Sequence, residues 1–270
     1  MKPTIKEVFG TEQPMIALLH LRALPGDPDF PIGGKMDDVI AEARKDLHAL
    51  QDGGVDGILI SNEFSLPYLD KIETVTPAAM AYVIGQLKSE ITVPFGVHVI
   101  ADADATIELA AAVEAQFVRS VFTGAYAAET GIRNKNVAIT MRRKKALGLD
   151  NLLMFYMVNA ESDGDLSQRD MAVTASAVEF KCHPDAMSVS GLHAGHGVDK
   201  ALIDLVKGAV PNANVWANTG CKAVNIADML EYIDGAFVGT TFKVDGKFEN
   251  GVDVNRVKEF MDIVKANRKR

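Results

Sequence analysis

Eight times between Pro14 and Gly239 the chain passes from a short apolar run into a longer stretch with helical spacing. The runs are MIALLHL (15–21), DGILIS (56–61), PFGVHVI (94–100), QFVRSVF (116–122), LLMFYMV (152–158), AMSVS (186–190), NVWAN (214–218) and GAFVG (235–239). A strand followed by a helix, repeated, builds a parallel sheet. Strands apolar on both faces need cover on both, and helices outside a packed interior supply it in a (β/α)8 barrel, the TIM barrel. Its usual length of about 250 residues fits a chain of 270. Nothing marks a linker, so one barrel domain is expected over residues 1–270, with segment 1–13 packed on the barrel. An open doubly wound sheet is the alternative, and would need a topological switch point.

The stretches between the runs carry helix punctuation. Met36, Val39, Ile40, Ala43, Leu47 and Leu50 share one face before a stop at Gly53-Gly54. Thr76 is expected as an N-cap with Pro77 at the first helical position, and Met80, Val83, Ile84 and Leu87 inward. Asp104 is expected to cap the next helix. Helices are then predicted around 137–147, ending at Gly148, and near 167–180. Others follow Asp199, Asn225 and Asp253, the last burying Val257, Phe260, Met261 and Val264.

With 48% hydrophobic and 24% charged residues the chain reads as an ordinary globular protein. A formal net charge of −8 argues against nucleic acid and anionic membrane surfaces as partners. Cys182 and Cys221 have no metal-type spacing and read as reduced thiols. The first residues lack the apolar core of a signal peptide, and no apolar run reaches the roughly 18 residues of a membrane span. A cytoplasmic location is expected.

In this barrel the active site forms where strands end. The polar exits are His20 and Arg22, Asn62 and Glu63, His98 and Asp102, Arg119, Asn159 and Glu161, Ser188 and Ser190, Asn218, and finally Gly239, Thr240 and Thr241. Loops after the seventh and eighth strands often hold phosphate, because small residues expose backbone N–H groups. Here they read NTGC (218–221) and GTT (239–241), and Ser190-Gly191 adds a third small-residue rim. The expected ligand is a small phosphorylated metabolite. Glycines that merely make tight turns are the plainer alternative.

Pro25, Pro28 and Pro31 stiffen the loop after the first strand, which carries His20 and Arg22 into the mouth. His20, Glu63 and His98 leave three neighbouring strands, a set that suits either a divalent metal or acid/base chemistry. A core histidine bonded to a backbone carbonyl is the alternative for His20. Arg119 would pair with a carboxylate inside the barrel or bind substrate, and Lys243 would meet an anion. His193 and His196, in a glycine-rich loop, read as solvent-facing; His48 and His183 read as helix-surface residues. No inner-facing strand position carries lysine, which argues against a Schiff-base aldolase.

The reading is an enzyme of isomerase, epimerase or lyase type. Phosphate would sit on the backbone around Gly220, Gly239 and Thr240, with Asn62, Ser190 and Asn218 also binding substrate. His20, Glu63 or His98 would move protons, and Arg22 or Arg119 would steady an enediolate-like charge. Prenyl-diphosphate chemistry is a third option and needs an apolar groove. One sequence does not fix the oligomeric state; a homo-oligomer is an option, since such barrels frequently dimerise.

The stretches HLRALPGDP, GVDGILISNEFSLPY, FVRSVFTGAYAAETGI and DGAFVGTTFK resemble the BtpA/SgcQ family along nearly the whole chain, and SNEFSLPY resembles its SgcQ-like branch. The resemblance implies a ribulose-phosphate-binding type of barrel. It also implies links with photosystem I biogenesis in cyanobacterial members, and with carbohydrate metabolism and a nucleoside-triphosphatase label in SgcQ-type members. The first link makes a non-catalytic assembly or regulatory factor the alternative function. The GxxxxGK[ST] signature of a triphosphatase is absent. His98 stands where the family commonly has asparagine, and residues 101–104 replace a more basic segment.

Overall fold

A computed structural model describes residues 2–161, 163–191 and 197–268. Its strands are β1 (Met15–His20), β2 (Gly57–Ser61), β3 (Phe95–His98), β4 (Phe117–Ser120), β5 (Ala125–Ala128), β6 (Gly131–Asn134), β7 (Leu153–Met157), β8 (Gly164–Asp165), β9 (Ala186–Val189), β10 (Val215–Ala217) and β11 (Ala236–Val238). The longer helices are α1 (Ile5–Phe9), α2 (Met36–Asp52), α3 (Val75–Leu87), α4 (Ala103–Val113), α5 (Val137–Ala146), α6 (Met171–Cys182), α7 (Lys200–Ala209), α8 (Ile226–Met229) and α9 (Val254–Asn267).

Eight strands close into a parallel barrel in the order β1-β2-β3-β4-β7-β9-β10-β11. Each is one of the apolar runs, and the pleat sends alternate side chains to opposite faces. On β1, Met15, Ala17 and Leu19 join the layer under the helices, while Ile16 belongs to the interior. The same alternation puts Leu59, Phe117, Phe155, Trp216 and Phe237 inside. Phe117 needs a gap on its neighbour: a Cβ on Gly96 would fall 2.3 Å from the Phe117 ring. At the N-terminal end, α1 seals the interior, with the Phe9 ring 5.3 Å from that of Phe117 and 6.5 Å from Trp216.

Three helix starts differ from the sequence expectation. α3 begins at Val75 after Thr74, so Thr76 and Pro77 lie inside its first turn. Asp102, not Asp104, caps α4: its Oδ1 accepts from Ala105 N at 2.9 Å, and Asp104 instead accepts from the Thr140 hydroxyl. α6 begins at Met171 behind Asp170, whose carboxylate accepts from Ala172 N. After β4 the chain forms a hairpin, β5–β6, which pairs with β8 in a separate three-stranded sheet. Both excursions follow barrel strands β4 and β7 and so rise on the C-terminal face. Among the described residues no helix is long and apolar enough to cross a membrane.

Candidate active site

Strand register sets the heights of the polar exits. His20 pairs with Ser61, and Ser61 with His98, so the ends of β1, β2 and β3 lie level. The inward parity of β1 carries on to His20, that of β2 to Glu63, that of β4 to Arg119 and that of β10 to Asn218. These residues border one cavity of about 570 Å3, which runs on to Gly220, Gly239 and Thr240.

His20 is buried and neither ring nitrogen has a hydrogen-bond partner; the Glu63 carboxylate stands 3.8 Å from Nε2. Burial pushes the imidazole down to about 4, against the opposing pull of Glu63. The ring is therefore neutral at pH 7 and able to take a proton. Ser61 donates to the Glu63 carboxylate at 3.2 Å and the Tyr68 hydroxyl donates to the Glu63 carbonyl at 2.9 Å. Those bonds hold the carboxylate beside His20.

Arg119 is the buried cation of the bowl. Its Nη1 donates to Asn218 Oδ1 at 3.1 Å, and its guanidinium lies 4.9 Å from the centre of the Phe237 ring. Nη2 is 3.3 Å from His98 Nδ1. A guanidinium only donates, so Nδ1 accepts and the His98 proton sits on Nε2. Burial, then the charge of Arg119, holds His98 well below the usual histidine range. Burial also lowers Arg119, opposed by Glu63 and Glu161. Glu161 borders the cavity too, and burial raises its carboxyl.

His20, Glu63 and His98 do not converge. His98 is turned to Arg119, and among the described residues no group of three His, Cys, Asp or Glu side chains is placed to hold a metal ion. Four expected binding residues are engaged by the protein itself. Asn62 has the opposite parity to Glu63 and accepts from Ile100 N at 2.8 Å. Arg22 lies over the Phe64 ring and donates to the Glu249 carbonyl at 2.8 Å. The Ser190 hydroxyl accepts from Asn218 Nδ2 at 2.9 Å, bracing Asn218 from below. Lys243 is buried, with Nζ 5.1 and 5.3 Å from the ring centres of Phe64 and Phe248 and donating to the Phe248 carbonyl. Burial takes it down to about 8, opposed by the charge of Asp46. It pins the last loop rather than greeting an anion. His193 and His196 lie outside the described residues.

The far end of the cavity is made of the 219–224 and 239–241 loops. Thr241 Oγ1 donates to the Cys221 carbonyl at 2.7 Å and ties them together. Gly220 has φ +77°, a conformation that favours glycine. A Cβ on Gly239 would stand 3.2 Å from His20 Cε1, so the bare backbone there leaves room for the imidazole ring. The Cys221 thiol is buried and pushed up to about 12, so the cavity gains no nucleophile from it.

Sequence reasoning missed Arg256, whose Nε donates to the Thr241 carbonyl at 2.9 Å at the cavity wall, and Lys222, which borders the same cavity. Arg256 stands in the first turn of α9, where a cation opposes the helix dipole. That mismatch was the available signal.

The BtpA family model matches residues 11–266. The chain belongs to the BtpA family. It is 48% identical over 260 residues to the sgc region protein SgcQ of Escherichia coli (strain K12), covering 96% of this chain and 97% of that one. It is 25% identical over 261 residues to the photosystem I biogenesis protein BtpA of Synechocystis, covering 96% and 90%. Among solved structures, N-(5'-phosphoribosyl)anthranilate isomerase from Pyrococcus furiosus superposes with a TM-score of 0.56 at 11% identity, over 94% of this chain and 99% of that one. Orotidine 5'-phosphate decarboxylase from Pyrococcus horikoshii OT3 gives 0.56 at 14%, over 93% and 99%. The BtpA-family chain shares a fold with these barrels.

Proposed function

We propose that this BtpA-family barrel is an enzyme acting on a small phosphorylated sugar or related metabolite, by isomerase, epimerase or lyase chemistry. The observation that carries the reading is the single cavity that joins two kinds of end. One end has small-residue loops, the Thr240 hydroxyl, Lys222 and Arg256, which suit a phosphate group. The other has a neutral, desolvated imidazole beside a carboxylate and a buried guanidinium, which suit proton transfer next to a carbonyl and charge on its oxygen. Phosphate held remotely supplies binding energy for orienting the carbons over His20. The two solved barrels described above are named for phosphorylated substrates, which sits with this reading.

The name of the Synechocystis relative supports the second reading, a non-catalytic assembly or regulatory factor. Thermal unfolding with inorganic phosphate and a panel of ketose and aldose phosphates separates the two. A ligand at a hundred times its Kd stabilises the fold by about 2.7 kcal/mol. The enzyme reading predicts a rise in Tm with at least one sugar phosphate, smaller in Arg256→Gln. No response to any of them favours the factor.

A further inference from the structure

Glu161 lies in the loop after β7, and β7 stands four places from β1 in either direction around the closed eight-stranded ring. His20 ends β1. The two side chains therefore enter the bowl from diametrically opposite walls, and both border the same cavity. The backbone that presents Glu161 is fixed by a two-way amide clamp: Asn159 Nδ2 donates to the Ser190 carbonyl and Ser190 N donates to Asn159 Oδ1, each at 3.0 Å. No hydrogen bond or ion pair engages the Glu161 carboxylate among the described residues, although a half-buried carboxylate with a structural task would be expected to have one. Arg119 rises between the walls from β4, with its Nε unpartnered.

We infer that Glu161 is a second acid–base catalytic residue facing His20 across the bowl, so that the reaction inverts a carbon stereocentre of the sugar. This rests on the active-site reading above and narrows it to epimerisation. The neutral imidazole of His20 takes the proton from the carbon beside the carbonyl. The C–H pair becomes a C=C bond, and the carbonyl oxygen takes the negative charge beside Arg119. Glu161, as the carboxylic acid, gives its proton to the other face of the same carbon; the π pair forms the new C–H bond and the carbonyl returns. The sugar leaves inverted, His20 protonated and Glu161 ionised, and exchange with solvent resets both. Burial keeps the His20 ring unprotonated, and burial raises the Glu161 carboxyl, opposed by the charge of Arg119 and aided by that of Glu63. Glu63 beside His20 then steadies the imidazolium.

The test is proton NMR in deuterium oxide with a panel of ketopentose and ketohexose phosphates, following carbon-bound hydrogen and epimer separately, alongside thermal unfolding with the same compounds. The wild-type protein is expected to give the epimer with deuterium at the inverted carbon. Glu161→Gln is expected to keep exchanging the hydrogen of the epimer whose C–H faces His20, while epimer formation falls by about 100-fold or more. A purely structural role would lower both together. Wild-type protein that exchanges but yields only an aldose–ketose isomer or a cleavage product overturns the inference, as does Glu161→Gln that epimerises within about threefold of wild type or loses exchange and inversion alike. Wild-type protein that is stabilised by a sugar phosphate but never exchanges overturns it while leaving the site standing. Protein that neither exchanges nor is stabilised by any compound overturns the active-site reading itself.

Discussion

His20 is an imidazole taken out of water without a hydrogen bond in exchange, and that has a measurable consequence beyond chemistry. Its ordinary pKa of 6.5 applies in the unfolded chain, and burial takes the folded value down to about 4. Between those values the unfolded chain binds a proton that the folded one refuses, so stability falls as pH drops from about 6.5 toward 4 and is untouched above that window. The full effect is about 3 kcal/mol. Denaturant melts at pH 7 and pH 4.5 are expected to show a smaller acid loss in His20→Gln than in wild type; equal losses would mean that the ring is solvated. His20, Glu63, Arg119 and Asn218 were legible in the sequence because polar residues on apolar strands follow the parity of the pleat. Asn62 is one residue out of phase with Glu63 and turns away to bond the backbone of the next strand end. Arg22 and Lys243 lie past the strands, where parity no longer governs direction, and aromatic rings capture both.

Among the elements, α1 is short, yet its Phe9 completes the aromatic layer of Phe117, Phe155 and Trp216 at the closed end of the barrel. Removing that buried ring leaves a cavity in the core, at a cost of about 3 kcal/mol. Phe9→Ala is therefore expected to unfold at lower denaturant while its Tm response to a bound sugar phosphate is unchanged, since the site lies at the opposite end of the strands. A loss under about 1 kcal/mol would show that α1 is not part of the core. The eight strands were readable as continuous apolar runs. The β5–β6 hairpin was not, because AYAA and GIRN are short and half exposed and find a third strand only through β8, some thirty residues on. The cap of α4 was misplaced by two residues for a related reason. Asp102 and Asp104 are equal candidates locally, and the tertiary bond from Ile72 N to Asp102 Oδ2 favours the first.

For the whole molecule, closure of the sheet brings residues from both ends of the chain to one rim: His20 and Gly239 are neighbours because β1 pairs with β11. Closure was readable from the count of βα units; the contents of the bowl were only half readable. Arg256 reaches it from a helix whose buried face alone is periodic in sequence, whereas Glu161 was legible as a strand exit and only the clamp that fixes its backbone was not. With a net charge of −8, Lys222 and Arg256 are the cations this end offers an anionic ligand, with the Glu259 carboxylate on the same wall. The central claim is that this rim orients a phosphorylated sugar with its phosphate at the 219–222 and 239–241 loops and its carbons over His20. The most direct measurement is a crystal structure of the protein grown with the sugar phosphate that raises its Tm most. The account predicts the phosphate density between those loops, within hydrogen-bond reach of Thr240 and Arg256, and the carbonyl carbon between His20 and Arg119. A sugar phosphate seated outside the bowl, or reversed with its phosphate at His20, would contradict it.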